Sequence, residues 1–425
     1  LQGGDPVSHF PSSNPLLRRG ARRAGWVYPA VCTRLCHALW CPIPEIGGIA
    51  RGIRIRIHAQ VALQDHMREL LYKPDWESTK ERYIRWWRRD YFGRCAVAVR
   101  APKRNPPDLP EPSKPKTIHQ QWYDLEHINR RQQYHMARTF YGGEALPIWH
   151  AGYPGNTAIW TLLGTPMELD WETGWPQGAP LLSDSLDFRK LRIDINHPEF
   201  RFHIEMCRKA SAWSKGKSLV TIGAFGGSGD TLAALRGNEA LLLDCMDRPE
   251  WVREADDYLM DMWCKHYDTL YREIHAVDEG STCWFDLWSP GKFYASQNDF
   301  SYMVSPTMFR ELFIPVIRKQ TEFLDNSVYH VDGIGAFAHV DALCELPRLQ
   351  ALQILPGAGK PSPLHYKDVL NKVQRAGKNL HISIPASEVK QALDMLSARG
   401  LYIATWCASQ DEAERLLENA ERWSV

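Results

Sequence analysis

His330 and Asp332, in YHVDG, are the densest concentration of chemistry in the sequence. Two residues apart on a strand, both side chains point to one face, and Gly333 lets the backbone turn away directly afterwards. An imidazole and a carboxylate on one face can hold a metal, or form a general base with its orienting partner. The same pair also suits a core hydrogen bond and a helix cap, so the spacing leaves these readings open. Cys407, which ends LYIATWC, is a further donor, as a thiolate ligand or as an inert buried thiol. Asp230 after GGSG, Asp286 between Trp284 and Trp288, Gln297 and Asp299 in SQNDFS, Gln353 in ALQIL and His381 in NLHIS are, with Trp149, the candidate substrate-binding residues expected to shape a pocket around them. Trp149, Trp284 and Trp288 are placed either to wall a flat substrate or to fill the interior of the fold. The glycines before Asp230 read better as a tight turn with Asp230 as helix N-cap than as an anion cradle.

Nearly all of these residues fall at or just after the end of a short apolar run. VYHVDG (328–333), ALQILPG (351–357), NLHISI (379–384) and LYIATW (401–406) each lead into an amphipathic helix. Short apolar strands alternating with such helices indicate parallel βα units. LPIWH, SLVTIGAFGG and STCWFDLW continue the pattern upstream, and RCAVAVR (94–100) supplies an eighth strand or a lead-in. The expected fold is α/β, a (β/α)8 TIM barrel over residues 67–425 with a helical and extended N-terminal lead-in. A doubly wound sheet ranks second, because no glycine-rich phosphate fingerprint follows the first strand. In a barrel the active site lies at the C-terminal strand ends and the loops after them, where these polar groups gather. The prolines of APKRNPPDLPEPSKPK (101–116) exclude helix and central strand and predict an extended surface arm. A helix over 305–324 is expected to kink at Pro315.

The chain has 425 residues, 44% hydrophobic and 24% charged, with a net charge of +1. This excludes a disordered chain and gives no footprint for nucleic acid or an anionic membrane. No run is long and apolar enough for a membrane span, so a soluble protein is expected. Residues 1–66 differ from the rest, with eight Arg, no Lys, three acids and no Met. A targeting peptide and a folded extension both compete for this piece. The preferred expectation is a non-native or disordered extension, left out of the functional reading. It contains Cys32, Cys36 and Cys41, whose spacing fits no zinc template. The seven later cysteines are scattered and odd in number, which predicts a reducing cytoplasm. There is no Walker loop, HExxH, CxxC pair or GxSxG elbow.

SQNDFSYMVSPTMFRELFIPVIRKQ, followed by YHVDG and the closing βα units, resembles the uroporphyrinogen decarboxylase superfamily. That group includes the decarboxylase itself, corrinoid-dependent methyltransferases and the cobalamin-independent methionine synthase barrel. The resemblance covers roughly residues 75–425 and implies a (β/α)8 barrel. The decarboxylases carry an Arg-rich segment after the first strand, whereas the matching stretch here, LPIWHAGYPGN, has no Arg. The methyltransferases hold zinc through His-x-Cys and a later Cys. Here His330 matches the His, Cys407 the later Cys, and Asp332 stands where the family has Cys. The resemblance therefore implies zinc on His330, Asp332 and Cys407, and methyl transfer to or from a corrinoid on a separate protein. This chain lacks the DxHxxG pattern that would bind its own corrinoid. A lyase or decarboxylase using His330 and Asp332 as acid and base is the alternative, and a non-catalytic corrinoid or tetrapyrrole binding protein is a third. A small-molecule substrate and a monomer or homodimer are expected.

Overall fold

The computed structural model describes residues 69–150, 154–183, 185–275 and 280–424. The front piece expected to be an extension, with its three cysteines, lies outside the described residues. The strands are β1 (Ala96–Pro102), β2 (Thr139–Gly143), β3 (Ile148–Trp149), β4 (Met167–Leu169), β5 (Gly174–Pro176), β6 (Leu219–Val220) and β7 (Ser281–Thr282). They continue with β8 (Trp288–Ser289), β9 (Phe293–Ser296), β10 (Asn326–Asp332), β11 (Ala351–Leu355), β12 (Asn379–Ser383) and β13 (Leu401–Trp406).

A central sheet runs in the order β2-β1-β13-β12-β11-β10-β9, parallel throughout except for β2. The parallel pair β3–β6 stands beside it, joined to β7 by a single Thr221–Thr282 bridge. Among the described residues the hydrogen-bonded ladder does not close into a ring. The departure sits where the third βα strand was expected. STCWFDLWS folds back as the hairpin β7–β8, with Trp284, Phe285 and Asp286 at its tip, and β9 then takes the place next to β10. RCAVAVR becomes β1, an integral strand between β2 and β13.

The period-two pattern of β10–β13 sorts the side chains onto two faces. Tyr329, Val331, Leu352, Ile354, Leu380, Ile382, Leu401 and Ile403 pack in the larger core, against the helices. The opposite face carries Val328, Ala351 and Tyr402, which belong to a smaller inner core, together with His330, Gln353 and His381.

The helix Trp76–Trp87 closes the inner core at the N-terminal ends of the strands. Trp86 donates its indole N–H to Gly400 O and Trp87 donates to Trp288 O. The Tyr83 hydroxyl lies between Glu144 O, Asp286 O and the Tyr402 hydroxyl. Buried indoles and phenols need such partners, so these bonds fix the helix in one register. Beside it, Glu144 is fully buried and accepts from Arg82, from both Arg94 Nη atoms and from Val97 N. Burial alone would raise its pKa, but Arg94 and Arg82 outweigh burial and hold it at about 2.

Residues 306–323 form one helical run interrupted by a π-helical turn, Phe309–Phe313, just before Pro315. The wider turn makes room for the proline ring and for the carbonyl of the preceding turn that proline, lacking an N–H, cannot bond. No helix among the described residues is long and apolar enough to cross a membrane. All seven described cysteines are free thiols.

Candidate functional site

Asp299, His330 and Asp332 each place one ligand atom within 4.8 Å of the others. His330 and Asp332 are i and i+2 on β10, and Gly333 turns at once with φ +85, a conformation that favours glycine. Asp299 lies just past the end of β9, the strand paired directly with β10 through Ser296–Tyr329. Its loop is braced from behind by Asp230, whose carboxylate accepts from Gln297 Nε2 at 3.1 Å and from Phe300 N at 3.0 Å. Asp230 is thus a buried support in the first turn of the helix Ser228–Arg236; the N-cap position expected for it belongs to Gly227. The nearby glycines serve close approach. A Cβ on Gly229 would meet Asn298 Oδ1 at 2.7 Å.

Gln353 is the cross-strand neighbour of His330, and its Oε1 lies 2.5 Å from His330 Nδ1. An amide oxygen can only accept, so Nδ1 carries the proton and Nε2 keeps its lone pair. The Trp284 ring stands edge-on to His330 at 4.8 Å. The ring orientation is therefore set from two sides. Asp299 and Asp332 open into a cleft of about 270 Å³ lined also by Tyr302, Ile334, Pro356, Gly357 and Lys360.

Asp286, at the tip of the β7–β8 hairpin, has φ +64 and forms an ion pair with Arg100 of β1. Its carbonyl accepts from both Tyr83 and Tyr402, which hold the unusual backbone in place. Burial disfavours charge on Arg100, but the Asp286 carboxylate outweighs it and raises its pKa. His381 lies on the inner face beside Gln353, and burial, with the neighbouring His330, lowers its pKa to about 3.

Cys407 is not a member of the ligand group. It packs in the outer core, its N–H bonded to Arg100 O, and burial pushes its thiol up to about 11. The strand before it, β13, is three strands from β10 along the sheet, about 14 Å at ordinary strand spacing. Trp149 likewise faces the helices, where it donates to Asn129 Oδ1 and packs near Trp213. Trp288 fills the inner core against Trp76. Trp284 is the tryptophan whose ring edge meets His330. The sequence marks Asp299 as a pocket residue and not as a donor beside His330 and Asp332; the pairing of its strand with the YHVDG strand is the signal that brings it to them.

No protein-family profile and no curated protein matches the chain. Among solved structures it is similar to a methyltransferase from Methanosarcina mazei, with a TM-score of 0.54 at 10% identity over 81% of this chain and 98% of that one. At that identity the similarity speaks for the fold: mixed α/β with a parallel central sheet.

Proposed function

We propose that this chain is a barrel enzyme of methyl transfer that works with a metal ion held by Asp299, His330 and Asp332. The observation that carries the reading is the convergence of these three donors at the C-terminal ends of β9 and β10, beneath a cleft. The donor set fits a divalent cation: two carboxylates balance its charge, and the imidazole tautomer is fixed by Gln353. Two oxygens and one nitrogen form a harder set than the His, Asp and Cys expected from the sequence, with Asp299 in the position given to Cys407. When bound, a zinc or similar ion supplies Lewis acidity, making a thiol, hydroxyl or water at the site a better nucleophile or leaving group.

The chain's own residues perform the rest. Gln353 orients His330, Asp230 holds the Asp299 loop, and Trp284 shields the imidazole from water. A cleft of about 270 Å³ admits a small substrate. A corrin macrocycle would meet only its rim, consistent with a methyl carrier presented by a separate protein. The likeness in shape to a methyltransferase supports the same class. Among the described residues Lys360 is the single basic side chain lining the cleft, which disfavours a polycarboxylate porphyrinogen as substrate.

The test combines metal analysis with a surrogate methyl donor. Zinc or cobalt(II) should bind at about one per chain and be lost on Asp299→Ala, His330→Ala or Asp332→Ala, while Cys407→Ala retains it. The loaded protein should then demethylate free methylcobalamin in the presence of a small thiol. Absence of binding by zinc, cobalt, manganese and iron would sink the metal reading and leave His330 and Asp332 as an acid and base pair.

A further inference from the structure

Away from Asp299 and Asp332 the walls of the cleft are largely apolar. Tyr302 lines the cleft while 55% exposed, and its ring lies against the backbone turn that follows β10. A Cβ on Gly335 would meet that ring at 2.5 Å and one on Gly333 at 3.2 Å, so glycine at both positions lets the ring settle there. Ile334, 37% exposed, and Pro356 extend the apolar wall. An aromatic ring braced by backbone yet open to water is a preformed surface for an apolar body, because it loses little freedom on binding.

One cation joins this wall. The Lys360 backbone N–H bonds Gly357 O at 3.3 Å, a tight turn that keeps the two Cα atoms within about 7 Å. Gly357, with φ +98, begins the turn against the ligand group, where a Cβ would lie 3.8 Å from Asp332 Oδ1. Lys372 and Lys390 pair with Asp341 and Asp394, whereas Lys360 has no carboxylate at ion-pair distance among the described residues. Its ammonium, on a flexible stem, is one positive charge available to a ligand in the cleft. One ammonium matches one negative charge. A phosphate monoester carries nearly two at neutral pH, and the second would stand unbalanced beside Asp299 and Asp332. A cavity of about 150 Å³ holds benzene. The cleft, at about 270 Å³, therefore has room for a ring with small substituents or a chain of similar bulk.

We propose that the cleft selects a small monocarboxylate with an apolar body. The carboxylate pairs with Lys360, the body lies on Tyr302 and Ile334, and the far end is presented to Asp299, His330 and Asp332. Presentation to a metal rests on the function proposed above; recognition by Lys360 and Tyr302 does not. The probes are 4-fluorobenzoate, the uncharged 4-fluorobenzyl alcohol and 4-fluorophenyl phosphate. They are titrated by fluorine NMR against the native protein, Lys360→Met, Lys360→Arg and Tyr302→Ala. Each titration uses zinc-loaded and chelator-stripped protein, with metal content measured on the same samples.

Lys360→Met should weaken binding of the benzoate about fivefold, which is what a partly exposed ion pair supplies, and leave the alcohol unchanged. Lys360→Arg should retain the benzoate, and Tyr302→Ala should weaken both probes. Added salt should weaken the benzoate alone, and zinc should tighten it by offsetting the two carboxylates. The proposal is overturned if Lys360→Met binds the benzoate as the native protein does, or if the alcohol or the phosphate binds more tightly than the benzoate. Lys360-dependent binding by a protein that takes up no metal would keep this subsite and remove the metal reading. Metal uptake without such binding would do the reverse.

Discussion

Replacing Gln353 by leucine removes one hydrogen bond and no metal ligand, so it isolates how much the orientation of His330 contributes. The bond is short, 2.5 Å from His330 Nδ1 to Gln353 Oε1, and both residues are buried. Without it the imidazole can place its proton on Nε2, the nitrogen proposed to bind the metal. Supports of this kind are worth 10- to 100-fold in metal affinity, or about 1.4–2.7 kcal/mol. Gln353→Glu makes the opposite change: a carboxylate accepts the Nδ1 proton more strongly and raises the basicity of the ligand. Competition between the protein and a chromophoric chelator for cobalt(II) measures both variants on one scale. The expected order is glutamate at or above native, native next, and leucine at least tenfold weaker. Equal affinity for native and leucine forms, with their melting temperatures unchanged, would refute the assignment of His330 as an oriented ligand.

Gly229→Ala should shift the Asn298 side chain, because the added Cβ falls 2.7 Å from Asn298 Oδ1. Metal affinity should then fall about tenfold although every ligand remains, measured by the same competition. Glu144→Gln leaves Arg82 and Arg94 without their buried counter-charge and should cost about 3–5 kcal/mol in urea unfolding. The pH dependence follows from two depressed pKa values. Glu144, at about 2, stabilises the fold above the ordinary carboxylate range, and that contribution is lost as pH falls toward 2. His203, buried and held near 4, makes the fold lose stability from about pH 6.5 down to 4, by at most about 3 kcal/mol. His203→Asn should flatten that upper part of the acid limb in urea titrations at stepped pH.

The strands β10–β13 are legible in the sequence because alternating apolar positions and short helices leave little choice of register. His330, Asp332, Gln353 and His381 follow from them as residues of one face. What the sequence conceals is topology. Cys407 and Asp299 both end strands, but Asp299 ends the neighbour of β10, while Cys407 ends a strand three places away and faces the helices. Trp149 escapes placement for a related reason: its strand is only two residues long, too short for alternation to show which face it takes. The β7–β8 hairpin reads as a strand because its apolar residues fill an interior, as a strand's would. Only the positive φ of Asp286 marks the reversal, and a non-glycine residue gives no such warning.

The helix Trp76–Trp87 makes its decisive bonds with residues roughly 200 to 320 positions further along the chain. Trp86 must find Gly400, and Asn379 must reach back to Trp86 O. During synthesis this aromatic helix therefore leaves the ribosome long before its partners exist. Contacts so distant in sequence close late and slowly, and the exposed indoles are sticky in the meantime. A nascent chain stopped before β13 should hold its tryptophans in water and engage chaperones. Addition of the last strand and its preceding glycine is the event that lets the base of the sheet become dry.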